Sequence, residues 1–255
     1  MDFATYAREL CRLRPASESA WIAVESVDST NRLGRRVAAE YQREGDAVPA
    51  AVLFAWQQTG GRGRGENRWS SPPGQGIYAT LLRTLGEASE LQHLPLRVAV
   101  ALAEALNRRL GGRCRLKWPN DLRVEGRKLG GILIESSLRT GEDPVAVIGF
   151  GINLRGLPEA PGATSLENES AGLDSLPALA AELAMAVAAG VAAEEVPVGR
   201  YAELSEHRTG DELECRVAEE IFRGRFLSFD EHGHLRLEVG GEERRIAAGE
   251  VFSHG

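Results

Sequence analysis

Cysteine, long apolar runs and net positive charge are all in short supply here. The three cysteines, Cys11, Cys114 and Cys215, lie far apart with no Cys-x-x-Cys spacing. That pattern supports neither a disulfide framework nor a zinc site, and it fits a reducing cytoplasm. No segment supplies the ~20 apolar residues that a bilayer span requires. The opening residues carry acids and no continuous apolar block, which excludes a secretory signal. The formal charge of −7 argues against nucleic acid as the main partner, since phosphate binding over a wide face takes a net basic patch. A soluble cytoplasmic protein is expected, with no DNA and no membrane partner. Its positive charge must act locally, in a pocket.

What is present begins with a core: 255 residues at 43% apolar are enough for one large domain and a small one. Residues 57–69 stand out, with four glycines interleaved with three arginines and Trp69 at the end. Glycine lets the backbone take positive φ and lets a ligand approach main-chain N–H groups, while each guanidinium offers a fixed fork of donors. The natural guest of such a loop is an anion. A flexible linker or an RNA-binding Arg-Gly tract has the same composition. The flanks argue against a linker, because residues 50–56 form a continuous apolar run after Pro49 and residues 77–82 read as another strand.

Elsewhere the periodicity alternates between helix and strand. Phe3, Tyr6, Ala7 and Leu10 predict a lead-in helix over 2–13, ending before Pro15. Residues 21–27 predict a strand, and Asp28-Ser29-Thr30-Asn31 is a run of N-cap residues before a helix traced by Leu33, Val37 and Tyr41. Those polar residues either cap the helix or line a pocket at the strand end. Leu96, Ala99, Val100, Ala103, Leu106 and Leu110 predict the clearest helix, stopped by Gly111-Gly112. Strands over 114–118, 122–124, 131–136 and 145–153 make a meander, with a turn at 140–143. A loop over 155–172 and an alanine-rich helix over 176–191 follow. Past Tyr201, short alternating segments with turns at 230–233 and 240–241 suggest a small SH3-like β-barrel. The expected division is a lead-in at 1–20, a catalytic unit at 21–204 and a barrel at 205–255. His232 and His234 read as turn and strand edge, not as metal ligands.

Five motifs occur in order: Asp28-Ser29-Thr30-Asn31, Gly61-Arg62-Gly63-Arg64, Lys117-Trp118-Pro119-Asn120-Asp121-Leu122, Lys128-Leu129-Gly130-Gly131-Ile132-Leu133-Ile134-Glu135, and Gly149-Phe150-Gly151-Ile152-Asn153-Leu154. Together they resemble the biotin protein ligases, over residues 22–166, with the C-terminal segments resembling that family's small domain. The resemblance implies an α+β fold: a mixed sheet packed with helices, like class II aminoacyl-tRNA synthetases, then the SH3-like barrel. It implies biotin and ATP as substrates with Mg²⁺, biotinyl-5′-AMP as intermediate, and a lysine of a biotin carboxyl carrier domain, as in acetyl-CoA carboxylase, as acceptor. Ser29, Thr30, Asn31 and Gln58 match the biotin contacts, Gln58 being favoured over Gln57 by its spacing from the Gly-Arg run. Arg62, Gly63 and Arg64 match the loop closing over the adenylate, and Lys128 matches the lysine on the biotin carboxylate. Gly130 and Gly131 fall in the same substrate-binding motif. Lys117, Asn120 and Asp121 fall on the nucleotide and metal side, and Asn153 near the adenylate. Trp118 reads as packing.

The chemistry suits these residues. A carboxylate attacking the α-phosphorus of ATP forces two anions together, and fixed cations stabilise the charge that accumulates, at about 3 kcal/mol for a well-placed donor. Arg62, Arg64, Lys117 and Lys128 are the available set. Two departures accompany the resemblance. Gly65-Glu66-Asn67 replaces the usual arginine-rich continuation of the loop, and the roughly 20 residues ahead of the ligase motifs are too few for a winged helix, for which ~40 are normally needed. No repressor activity is expected. Sheet-edge pairing is common in the family, so a homodimer is one arrangement the resemblance allows. Rival readings are a lipoate or octanoate ligase or transferase of the same architecture, and a non-catalytic module binding RNA or protein. The first must seat a linear acyl chain, whereas Ser29, Thr30 and Gln58 supply the paired donors and acceptors of a ureido ring.

Overall fold

The computed structural model describes residues 1–16, 19–139, 141–156, 161–170 and 175–253, with Ser253 in its backbone only. The expected turn at 140–143 and loop at 155–172 therefore lie partly outside the described residues.

Helix α1 (Phe3–Leu13) starts at Asp2, whose carboxylate accepts from Thr5 N at 2.9 Å, and buries Tyr6 and Leu10. β1 (Ala20–Val27) leads through Ser29 into α2 (Thr30–Glu44), which ends where Gly45 takes φ 79° and donates to Tyr41 O. β2 (Ala51–Gln58) and β3 (Gly76–Thr84) frame the Gly/Arg segment, as expected. After a 3₁₀ turn (Ala88–Gln92), α3 (Leu94–Leu110) carries Pro95 in its first turn and stops at Gly111. β4 (Cys114–Lys117), β5 (Asp121–Val124), β6 (Arg127–Ser137) and β7 (Val145–Asn153) form the meander. The helices α4 (Leu166–Glu169), α5 (Leu176–Ala192) and α6 (Val198–Leu204) come next. Five short strands close the chain: β8 (Glu212–Val217), β9 (Glu220–Phe229), β10 (Leu235–Val239), β11 (Glu242–Ile246) and β12 (Glu250–Ser253). The 3₁₀ turn, α4, α6 and β12 had not been anticipated. Each is at most seven residues long, too short for its own periodicity to register, and each is held by packing or pairing instead.

The first seven strands make one mixed sheet in the order β1-β2-β3-β7-β6-β5-β4, with β1 parallel to β2 and every other neighbour antiparallel. Alternation along a strand sends successive side chains to opposite faces, and β7 shows the consequence. Ala146, Ile148, Phe150 and Ile152 belong to the main core with α1, α3 and α5. Val147 turns the other way, packing with Leu53 and Leu82 beneath Leu33 and Val37 of α2. Helix α2 thus covers only part of its face. Beyond its N-terminus, the glycines of β6 and β7 leave a hollow.

The C-terminal strands form a second, antiparallel sheet, β11-β10-β9-β8-β12. Its apolar residues Phe226, Phe229, Leu237 and Val251 are continuous with the main core. Trp118 is buried at the junction, where its Nε1 donates to Gly233 O at 2.9 Å. There too His232 stacks on His93, and His234 pairs with Asp230 at 3.0 Å. The cysteines are free thiols, Cys11 exposed and the other two buried; burial pushes Cys114 up to about 12 and Cys215 up to about 11. Among the described residues no helix is long and apolar enough to cross a membrane.

Candidate active site

A cavity of about 590 Å³ lies on the α2 face of the large sheet, where segments from residue 29 to residue 252 converge. Its floor is β6 and β7, at Gly131, Leu133, Gly149 and Gly151. Gly149 makes room for Asn31: an added Cβ would stand 2.0 Å from Asn31 Oδ1. Asn31 is buried and its amide is fully engaged. Nδ2 donates to Leu133 O at 3.0 Å and to Glu135 Oε2 at 3.0 Å, and Oδ1 accepts from Thr80 Oγ1 at 2.7 Å. Gly151 makes room for Trp69, whose indole lies 2.7 Å from where its Cβ would be.

The polar end is built on the first turn of α2. Gln58 Oε1 accepts from Thr30 N at 2.8 Å and from Thr30 Oγ1 at 3.2 Å, while its Nε2 donates to Ser71 Oγ at 2.8 Å. Gln58 reaches the cavity because it ends β2 beside the N-terminus of α2. Ser29 occupies the N-cap of α2 without making the cap hydrogen bond, and its buried hydroxyl lines the wall. The polar run thus stands at the start of the helix without capping it through a side chain, and it faces the cavity.

The cations gather at the other end. Lys128, at the start of β6, pairs with Asp121 Oδ1 at 2.6 Å and sits 5.6 Å above the Trp69 ring. Its main chain is clamped by a short bridge to Ala163, with Lys128 N donating to Gly162 O and Thr164 N donating to Lys128 O. Lys117 lies 5.4 Å from the Phe252 ring. Burial holds its ammonium below the ordinary lysine range, Arg123 adding to the shift and Asp121 and Glu206 opposing it. Such a charge gains from a phosphate brought alongside.

The Gly/Arg segment is a small hairpin. Trp69 N donates to Gly61 O, Gly63 N to Asn67 O, and Arg62 bridges to Arg68. Of its four glycines only Gly65 takes positive φ, at 60°. Gly61 serves close approach instead, since a Cβ there would meet Trp69 O at 2.4 Å. Arg62 Nη1 donates to Glu135 Oε1 at 3.1 Å. At the tip, Arg64 donates to Gly249 O at 3.1 Å and Asn67 to Glu250 Oε1 at 3.2 Å. Burial lowers the Arg64 pKa, against the pull of Glu250 and Asp121.

Of the residues singled out in the sequence, Ser29, Thr30, Asn31, Gln58, Arg62, Gly63, Arg64, Lys117, Asn120, Asp121, Lys128, Gly131 and Asn153 all line this cavity. Gly130 does not. It faces the opposite side of β6, where a Cβ would meet Ile152 Cδ1 at 2.5 Å and Leu122 Cδ1 at 3.3 Å, so its smallness serves packing. Asn120 and Asn153 hold backbone with their amides: Asn120 Nδ2 donates to Ile132 O at 2.7 Å, Asn153 Nδ2 to Thr164 O at 3.0 Å. The sequence reading had missed Trp69, Gly149, Gly151, Glu250 and Phe252 as wall residues and Glu135 behind the wall. Gly149, Gly151 and Glu135 lay inside quoted motifs, and alternation along each strand could have sorted them. Nothing local points to β12.

Residues 23–153 match the model of the Biotin/lipoate A/B protein ligase family. The chain is similar to the biotin–[acetyl-CoA-carboxylase] ligase of Paracoccus denitrificans, 33% identical over 223 residues that cover 81% of this chain and 91% of that one. It is also similar to the enzyme of the same name from Mycobacterium tuberculosis, 27% identical over 246 residues, covering 91% and 90%. The structure of biotin protein ligase from Aquifex aeolicus in complex with biotin and ATP shares the fold, with a TM-score of 0.73 at 24% identity over 92% of this chain and 98% of that one.

Proposed function

Because the chain belongs to the biotin/lipoate A/B protein ligase family, we propose that it is an ATP-dependent biotin–protein ligase. It activates biotin as biotinyl-5′-AMP and passes the acyl group to a lysine of a biotin carboxyl carrier domain. The observation that carries this reading is the convergence of Arg62 and Lys128, from different elements, on one cavity whose other end holds Ser29, Thr30 and Gln58.

The roles follow from position. Ser29, Thr30 and Gln58 bind the ureido ring with paired donors and acceptors, and Gly131 and Leu133 of β6 with the Trp69 indole wall the space beside them. Lys128 holds the biotin carboxylate beside the α-phosphorus of ATP. The carboxylate oxygen attacks, the bond to pyrophosphate breaks, and Arg62, Arg64 and Lys117 take up the charge on the phosphoryl oxygens. In the second step the acceptor amine attacks the acyl carbon of the mixed anhydride and AMP departs. The Gly/Arg hairpin shields the intermediate from water. Among the described residues no group of three or more His, Cys, Asp or Glu could hold a metal. Mg²⁺ would enter with the ATP phosphates and neutralise their charge, with Asp121, the carboxylate paired with Lys128, in the same wall.

Residues 21–204 form the catalytic unit in this reading and 205–255 an SH3-like barrel, a division supported by the change of sheet after β7. The lead-in helix packs into the core of the catalytic unit through Tyr6 and Leu10. The carrier of an acetyl-CoA carboxylase is the expected acceptor and the cytoplasm the expected compartment, in keeping with three free thiols.

ATP–pyrophosphate exchange tests the reading. Exchange should require biotin and should not be supported by lipoate or octanoate. Exchange driven by either linear acid would transfer the chain to the rival chemistry, and none with any acid would remove the ligase assignment.

A further inference from the structure

Glu135 has no part in the roles above, yet it joins the two ends of the cavity. It lies on β6, its side chain 18% exposed. Oε1 accepts from Arg62 Nη1 at 3.1 Å and from Arg35 Nη1 at 3.3 Å, and Oε2 accepts from Asn31 Nδ2 at 3.0 Å. The Asn31 amide is fixed in turn by Leu133 O and Thr80 Oγ1, both on strands of the sheet. The carboxylate is thus anchored to the large sheet, and the hairpin arginine is tied to it.

We propose that Glu135 is a positioning residue, aiming the Arg62 guanidinium at the reacting phosphoryl group and coupling that aim, through Asn31, to the biotin end of the cavity. The inference rests on the ligase reading. An arginine on a glycine-jointed hairpin has several rotatable bonds to order before it can serve as a fixed charge. A carboxylate on a strand, held by further donors, supplies that order in advance. The contact uses one Nη1 only. A guanidinium carries five N–H donors in a rigid fork, so the rest of the fork remains for ligand oxygens. Arg35 shares Oε1 from the exposed surface of α2, where half its side chain is in solvent, and it is not needed for this role.

The test is a mutant cycle read by biotin-dependent ATP–pyrophosphate exchange, using wild type, Glu135→Gln, Arg62→Ala, the double variant, and Arg35→Ala. The glutamine keeps an acceptor oxygen for Asn31 and removes the charge facing Arg62. Glu135→Gln should lower kcat/KM for ATP roughly tenfold, chiefly through kcat. The double variant should be no worse than Arg62→Ala, because residues acting as one unit do not add. Arg35→Ala should change the rate less than about threefold, as for an exposed pair. Additive losses, or a Glu135→Gln enzyme at the wild-type rate, overturn the proposal while wild-type exchange keeps the ligase reading. Wild type without biotin-dependent exchange overturns both. If Glu135→Gln is thermally destabilised, Glu135→Asp, which keeps the charge and loses reach, goes through the same cycle with the same deciding outcomes.

Discussion

The two sides of the cavity are built in different ways. The floor is sheet: Gly131, Gly149 and Gly151 sit in β6 and β7, their neighbours paired along the ladder and the other face packed on α3 and α5. The opposite side is the Gly/Arg hairpin, held by a few of its own backbone bonds, by Arg62 on Glu135, and by Arg64 and Asn67 on residues 249–250. Segments with many buried contacts open only with the whole domain, while those with few, solvent-facing bonds open locally. In the proposed reaction the hairpin, not the floor, is the part able to cover a reactive anhydride and release it. Glu135 is where the two meet.

Perturbations of residues borne on the sheet should cost more than perturbations of the hairpin tip. Lys128→Ala is expected to give the largest effect, a loss of ~10²–10³ in the rate of adenylate formation, with the melting temperature nearly unchanged. Single-turnover formation of biotinyl-5′-AMP checks it, and undiminished turnover would remove Lys128 from the mechanism. Gly149→Ala should come next. Its Cβ must displace Asn31 from a bonded position, so about 1–3 kcal/mol of stability should be lost, as for overpacking, together with biotin affinity; thermal denaturation and calorimetry read the two.

Lys117 tests the border between the walls through pH. Its ammonium is disfavoured by burial in the free protein and favoured by a bound phosphate, so binding raises its pKa. Nucleotide affinity should then be full below the free-protein pKa and fall as pH rises through it, sooner than the ~10.4 of an ordinary lysine would allow. Lys117→Arg, whose charge persists, should flatten that decline. The smallest effect is expected at the hairpin tip. Asn67→Ala removes the bond to Glu250, worth ~1 kcal/mol, and should raise release of AMP in the absence of acceptor only a few-fold. A loss at Asn67 as large as that at Gly149 would contradict the division between floor and cover.

Much of this was readable one segment at a time. The helices α1, α2 and α3 follow from apolar spacing, with stops at Pro15 and Gly111-Gly112, α5 follows from its alanine and leucine content, and the framing of the Gly/Arg segment follows from two apolar runs. The choice of Gln58 over Gln57 rested on the family resemblance, through its spacing from the Gly-Arg run, and Gln58 is the one in the cavity wall. Gly130 shows where motif matching fails. It stands beside Gly131 in the same motif, yet a strand turns neighbours to opposite faces, and only one of the two meets the cavity. The loop glycines show a second failure, because composition suggested left-handed turns where Gly61 instead admits a neighbouring backbone.

By itself the sequence determined the longer helices and strands, that the charge of the hairpin would be positive, and which polar groups would end up near strand ends, because these follow from local spacing and residue chemistry. Only the tertiary structure decided that Arg62 and Asn31 share one carboxylate, that Lys117 is partly buried beside Phe252, and that β12 forms part of the cavity wall. Those contacts join residues distant along the chain. They depend on strand order and register, which are set by how the whole core packs and leave no periodic trace in any one stretch.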